Sequence, residues 1–234
     1  MRRVLLLSLA LLVLVGGVLS AGYLVAARYQ RIPGAPAYRQ GYGLAFLPPS
    51  AAALACRTSG GAALCLRGYF QAKLPPYPEG LPEDYCRGLK GALGRACSEA
   101  MGLRLVRFPS SVKLCARLPD PEACARYVGR GALAVGGEER VKEECGKVRG
   151  PLLFNCQLGA AMEMVERAPE RNLARAWALC ERANPDGGVC TPALTGALLA
   201  VLKDRKRAEA ACTALPSLQA ARCLAGVAQG AGRR

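Results

Sequence analysis

The stretch ERNLARAWALCERA (residues 170–183), then Asn184-Pro185-Asp186-Gly187-Gly188, then TPALTGALLAVLK (191–203) decides the fold. The first segment consists of good helix formers, with Leu173, Trp177 and Cys180 at helical spacing. The Asn-Pro-Asp-Gly-Gly run is a strong break. Thr191-Pro192 then predicts a second helix, with threonine as N-cap and proline at the first helical position. Two short helices joined by a short turn make an antiparallel hairpin. Cys180 lies late in the first helix, and Cys190 lies early in the second.

The same grammar recurs along the chain. Ser111 to Leu118 is followed by a break at Pro119-Asp120, and Asp120-Pro121-Glu122 opens a helix that holds Cys124. Pro216 ends one helix, and Ser217 can cap the next, which holds Cys223. The twelve cysteines fall in pairs: Cys56 and Cys65, Cys86 and Cys97, Cys115 and Cys124, Cys145 and Cys156, Cys180 and Cys190, Cys212 and Cys223. The pairs repeat about every 30 residues, a period that marks a repeat architecture. Facing positions across a hairpin turn fall within disulfide range, so each pair is expected to form a bridge. Pairing across the longer gaps, such as Cys65 with Cys86, is the alternative. Closing a loop of about ten residues stabilises by roughly 3 kcal/mol, which suits helices too short to persist alone. Glycines follow the second cysteines (Gly68, Gly102, Gly129, Gly159, Gly196 and Gly226), a recurrence that suggests close approach of neighbouring helices. The expected fold is all-α: a solenoid-like stack of about six short helical hairpins, each with a disulfide, behind an N-terminal transmembrane helix.

Composition agrees with this reading. Of 234 residues, 52% are hydrophobic but only 6% aromatic. Alanine, leucine and glycine dominate and β-branched residues are sparse, which favours close-packed helices. Residues 4–27 run without a charge between Arg2-Arg3 and Arg28, long enough to span a bilayer. An uncleaved anchor is therefore expected, although Ser20-Ala21 could serve as a cleavage site. Residues 28–48, with Pro33, Gly34, Pro36, Gly41, Gly43 and Pro48, read as an irregular linker. Residues 49–230 form the expected repeat domain, and 231–234 a basic tail. Twelve cysteines point to an oxidising compartment, which places the body outside the cytoplasm, in a periplasm or at the cell surface, or secreted if the first segment is cleaved.

These units resemble Sel1-like and related cysteine-rich helical-hairpin repeats, in which a disulfide joins the two helices of each unit. The resemblance covers roughly residues 50–228. It rests on the paired cysteines, the Ala/Gly/Leu-rich helices, and stretches such as CARYVGRGAL (124–133) and CQLGAAM (156–162). It implies a protein-interaction scaffold and supplies no catalytic residues.

The search for chemistry supports a non-enzyme. The sequence has no histidine, so a Ser-His-Asp or Cys-His arrangement cannot form within it. There is no phosphate-binding loop, no closely spaced cysteine pair for zinc, and no Cys-x-x-Cys motif. No cofactor and no metal are expected. Adjacent carboxylates occur at Glu83-Asp84, Glu138-Glu139 and Glu143-Glu144. The alternative readings are a cell-envelope hydrolase using a carboxylate pair brought together from separate units, and a structural envelope protein that binds anionic polymers or lipid head groups. The net charge of +15 favours anionic partners, although Arg/Ala/Gly-rich composition also follows from GC-rich coding. The densest basic run, Lys203, Arg205, Lys206 and Arg207, is the candidate anion-binding site. Expected partners are the membrane through residues 4–27 and an unknown protein or anionic envelope component, lipid head groups included. Nucleic acid is not an expected partner.

Overall fold

The computed structural model describes residues 36–75, 82–184 and 188–231. Among these residues there are only helices. The chain divides into two compact units, Met1–Lys73 and Leu74–Arg234. The division falls between the first and second hairpins, inside the stretch 49–230 read as one repeat domain. The uncharged run 4–27, the Ser20-Ala21 bond and the residues of the basic tail from 232 onward lie outside the described residues. No helix among the described residues is long and apolar enough to cross a membrane.

The first unit holds α1 (Pro36–Gly43), α2 (Pro49–Arg57) and α3 (Ala62–Lys73). Helix α1 corrects the reading of residues 28–48 as irregular linker over residues 36–43, while residues 44–48 are irregular as expected and 28–35 lie outside the described residues. Its helicity comes from packing, because eight residues with little apolar periodicity would not hold a helix alone. A Cβ on Gly41 would overlap the Cys65 carbonyl, and one on Gly68 would overlap the Tyr38 carbonyl. The two glycines let the backbones of α1 and α3 meet. Tyr69 Oη donates to the Leu47 carbonyl at 2.8 Å and pins the α1–α2 turn.

The second unit begins with α4 (Pro82–Cys86) and α5 (Gly91–Leu105), then α6 (Ser111–Leu114) with a 3-10 turn at Cys115–Arg117. Next come α7 (Pro121–Cys145), α8 (Gly150–Arg167), α9 (Pro169–Ala183), α10 (Cys190–Leu202), α11 (Arg205–Thr213) and α12 (Ser217–Ala231). Helix α7 is two helices in sequence terms. Gly136 (φ −140°) and Gly137 (φ 67°) break it, and the positive φ is one that glycine adopts without strain. Residues 121–135 therefore close the third hairpin, and 138–145 open the fourth.

All six bridges pair as the spacing predicts: 56–65, 86–97, 115–124, 145–156, 180–190 and 212–223. Their Cα separations run from 5.5 to 5.9 Å. No cysteine is free. The bridge cysteines are buried, and so are Leu158, Val165, Trp177, Leu194, Leu198 and Val227. Trp177 is fully buried, as its helical face predicts, and its Nε1 donates to Glu181 at 3.0 Å.

Two predicted helix starts shift by a residue or two. Helix α10 begins at Cys190, so Thr191 is inside it and not its cap. Pro192 is tolerated there because first-turn amides have no intrahelical acceptor. At the last hairpin the Pro216 carbonyl accepts from Ala220 N at 2.8 Å, which makes Ser217 the first helical residue. The helix expected to open at Asp120-Pro121-Glu122 does so, with Asp120 as its cap accepting from Ala123 N at 2.9 Å.

Candidate functional site

In the second unit the second helix of each hairpin packs along the second helix of the next, and glycines set several of these joints. A Cβ on Gly102 would sit 2.5 Å from the Cys124 carbonyl, and one on Gly129 would overlap the Cys156 carbonyl. Both glycines lie five residues after their own cysteine, and both meet the second cysteine of the following hairpin. Gly41 and the Cys65 carbonyl repeat this contact in the first unit, so α1 stands where the second helix of a preceding hairpin would stand. The joints are parallel. Asn155 bonds Glu122 at 3.1 Å, a Cβ on Gly159 would overlap the Arg126 carbonyl, and Arg130 pairs with Glu163 at 3.4 Å, so both numbers rise together. Gly226 meets Thr195, and Gly230 meets Leu199, in the same sense.

Gly196 departs from the expectation of close approach, because nothing lies within 4 Å of a Cβ placed there. It is one residue past the contact register, and Thr195, at five residues after Cys190, makes the contact instead. The Thr195 hydroxyl is satisfied within its own helix by the Thr191 carbonyl at 2.7 Å.

The structure divides the basic run. Lys203 ends α10 with φ 53°, while Arg205, Lys206 and Arg207 form the first turn of α11. Asp204 caps that helix by accepting from Arg207 N at 3.2 Å. Arg205 pairs with Glu209 at 2.7 Å, and Arg207 with Glu170 at 2.9 Å. Both arginines remain more than half exposed, so these are weak surface pairs. Arg207 joins Arg167 and Arg171 around a cleft of about 370 Å³ at the start of α9, closed on one side by Glu170. The sequence missed Arg167 and Arg171 as members of this surface. They lie more than 30 positions from the run, and only the hairpin packing brings them together.

The three carboxylate pairs sit in ion-pair networks. Glu83 faces Arg117 at 3.5 Å, Asp84 pairs with Arg87, and Glu138 pairs with Arg175. Glu139 pairs with Lys142 at 2.7 Å. Glu138 and Glu139 do border a cleft of about 470 Å³ with Arg167, Asn172 and Arg175, so cations share it with them. Glu143 is held below the usual carboxylate range by hydrogen bonds from Arg140 and Lys147.

Glu144 is fully buried. Arg140 reaches it at 3.1 Å, Lys147 at 2.9 Å, and Ser111 Oγ donates to it at 3.0 Å. The hydrogen bond to Glu144, with a second to Glu143, raises the Lys147 ammonium above its ordinary value. The 140–144–147 spacing was a legible signal for the two ion pairs, whereas the bond from Ser111, 33 residues away, was not.

Among the described residues no group of histidine, cysteine or carboxylate side chains could hold a metal ion. Every carboxylate described has a cation, an amide or a hydroxyl as partner, although one oxygen of Glu83 is buried without a hydrogen-bond donor. No family model, curated protein or solved structure matches the chain.

Proposed function

We propose that this chain is a membrane-tethered, extracytoplasmic helical-repeat scaffold that binds another macromolecule and turns nothing over. The observation that carries the reading is the recurring parallel joint between second helices. It supports a solenoid-like stack in the second unit, and such stacks offer extended surfaces made of successive equivalent units. Six disulfides fit an oxidising, extracytoplasmic compartment. The uncharged run 4–27 supplies the tether. The resemblance to disulfide-stapled hairpin repeats points the same way.

The binding surface proposed is the cationic rim around the α9 start, with Arg167, Arg171 and Arg207 and the neighbouring Lys203, Arg205 and Lys206. It suits an acidic protein or an anionic envelope polymer. The test is in-membrane cross-linking of the full chain followed by purification, wild type against the Lys203, Arg205, Lys206 and Arg207→Ser variant. A partner captured by the wild type and weakened in the variant supports the reading. Hydrolysis of envelope polymer by the purified chain, abolished by a single Glu→Gln change, would replace it with the hydrolase reading.

A further inference from the structure

The first unit contains no carboxylate. None occurs in the sequence before Glu79, while Arg28, Arg31, Arg39, Arg57, Arg67 and Lys73 all precede it. The charge of this unit is therefore uncompensated by any acid of its own.

The same unit turns apolar side chains outward. Phe46 is 79% exposed and Leu54 is 67% exposed. Along α2, Ser50, Leu54 and Arg57 share the exposed face, while Ala52 and Cys56 point inward and are fully buried. Phe46 stands in the turn just before this stripe, and that turn is held on both sides. Leu47 N donates to the Leu44 carbonyl at 2.9 Å, and Tyr69 Oη binds the Leu47 carbonyl. Lys73 Nζ donates to the Ala45 carbonyl at 3.2 Å, which puts an ammonium beside the aromatic ring's own segment. An outward aromatic and leucine flanked by cations is the pattern of a side chain set at the boundary between lipid and water.

The length of chain upstream limits where this stripe can be. Nine residue steps separate Ala27 from Pro36, which at ~3.5 Å each span at most about 30 Å. With residues 4–27 in the bilayer, the first unit stays within one small-domain diameter of the head groups.

We propose that the Phe46–Leu54 stripe rests on the bilayer that tethers the chain, with Arg57 and Lys73 facing anionic phospholipid. This rests on the tether reading above. Cations close to an anionic leaflet add attraction that falls off within a Debye length, about 8 Å at ~0.15 M salt. A single acyl-like contact binds weakly, so the apolar stripe and the charge act together.

The test uses the full chain in lipid nanodiscs with the Phe46→Trp substitution. The wild-type chain gives the baseline, because its single Trp177 is buried. Discs of phosphatidylglycerol with brominated phosphatidylcholine should quench most of the added indole emission and shift it to the blue. Discs of brominated phosphatidylcholine alone, or Arg57→Glu in the anionic discs, should lose much of that quenching. A chain that resists carbonate extraction but shows an unquenched, water-like indole overturns this inference and leaves the tether standing. A chain released by carbonate overturns both. Equal quenching in the two lipid mixtures overturns the anionic preference. Shielding of the indole only when two chains share a disc would assign the stripe to a second copy instead.

Discussion

Gly129 and Gly196 look alike in the sequence, since each follows a bridge cysteine inside a second helix, yet the structure gives them opposite roles. Gly129→Ala forces a methyl group onto the Cys156 backbone, which cannot yield without separating two helices. Overpacking of this kind costs about 1–3 kcal/mol, enough to lower Tm by ~3–10 °C for a unit of this size. Gly196→Ala meets nothing within 4 Å and should be neutral or raise stability by up to about 1 kcal/mol. Thermal unfolding of the two single variants, side by side, checks the pair. Equal effects would mean that the glycines matter for chain flexibility and not for helix contact. Lys147 offers a second residue-scale test. Its ammonium is raised by Glu144, so the stabilisation is complete at neutral pH and is lost as pH climbs through the raised value, above 10.5. The stability difference between wild type and Lys147→Met should therefore hold steady through neutral pH, shrink in strong alkali as Lys147 loses its proton, and shrink in acid as Glu143, held low in part by Lys147, gains one. A difference that already shrinks between neutral pH and mild alkali would place the coupling on a different group.

The hairpins do not depend equally on their staples. The first helix of the third hairpin is a single α-turn of four residues followed by a three-residue 3-10 turn. That of the fifth is a 15-residue amphipathic helix with Leu173, Ala176, Trp177 and Cys180 buried. The nominal loop-closure terms are nearly equal, about 3 kcal/mol for loops of this size. The short helix has less packing of its own to fall back on. Replacing Cys115 and Cys124 with serine should thus abolish amide protection across 111–124, whereas the same change at Cys180 and Cys190 should leave most of α9 protected. Hydrogen exchange read by mass spectrometry separates the two. The pairing of cysteines was legible because period and spacing both constrain it, and the hairpin geometry follows from the pairing. Helix α1 was not legible, since PAYRQGYG has neither length nor apolar periodicity and is helical because Gly41 and Gly68 let it lie on α3. The α10 start differs from the expected one by two residues because a Thr-Pro signal near a helix N-terminus fits more than one position of the first turn. The basic run was legible as charge but not as a surface, because Glu170, Arg167 and Arg171 reach it only through packing.

For the whole molecule, retention of the first segment is the prediction that decides where the protein works. Mass spectrometry of the mature chain should find a peptide spanning Ser20-Ala21, and a mature N-terminus at Ala21 would make it a secreted protein. A chain held by the proposed tether and by the proposed partner would also be a mechanical link, with the bridges setting its compliance. Tension applied through the backbone crosses each hairpin by way of its disulfide, because the bonded cysteines are the shorter path. The 8 to 10 residues between the bonded cysteines then carry no load. In a force-extension trace, each unfolding hairpin of the oxidised chain should release about 2.5–3.5 nm less than the same hairpin after reduction. Such a tether gives way unit by unit, and each hairpin keeps its turn closed while its helices part.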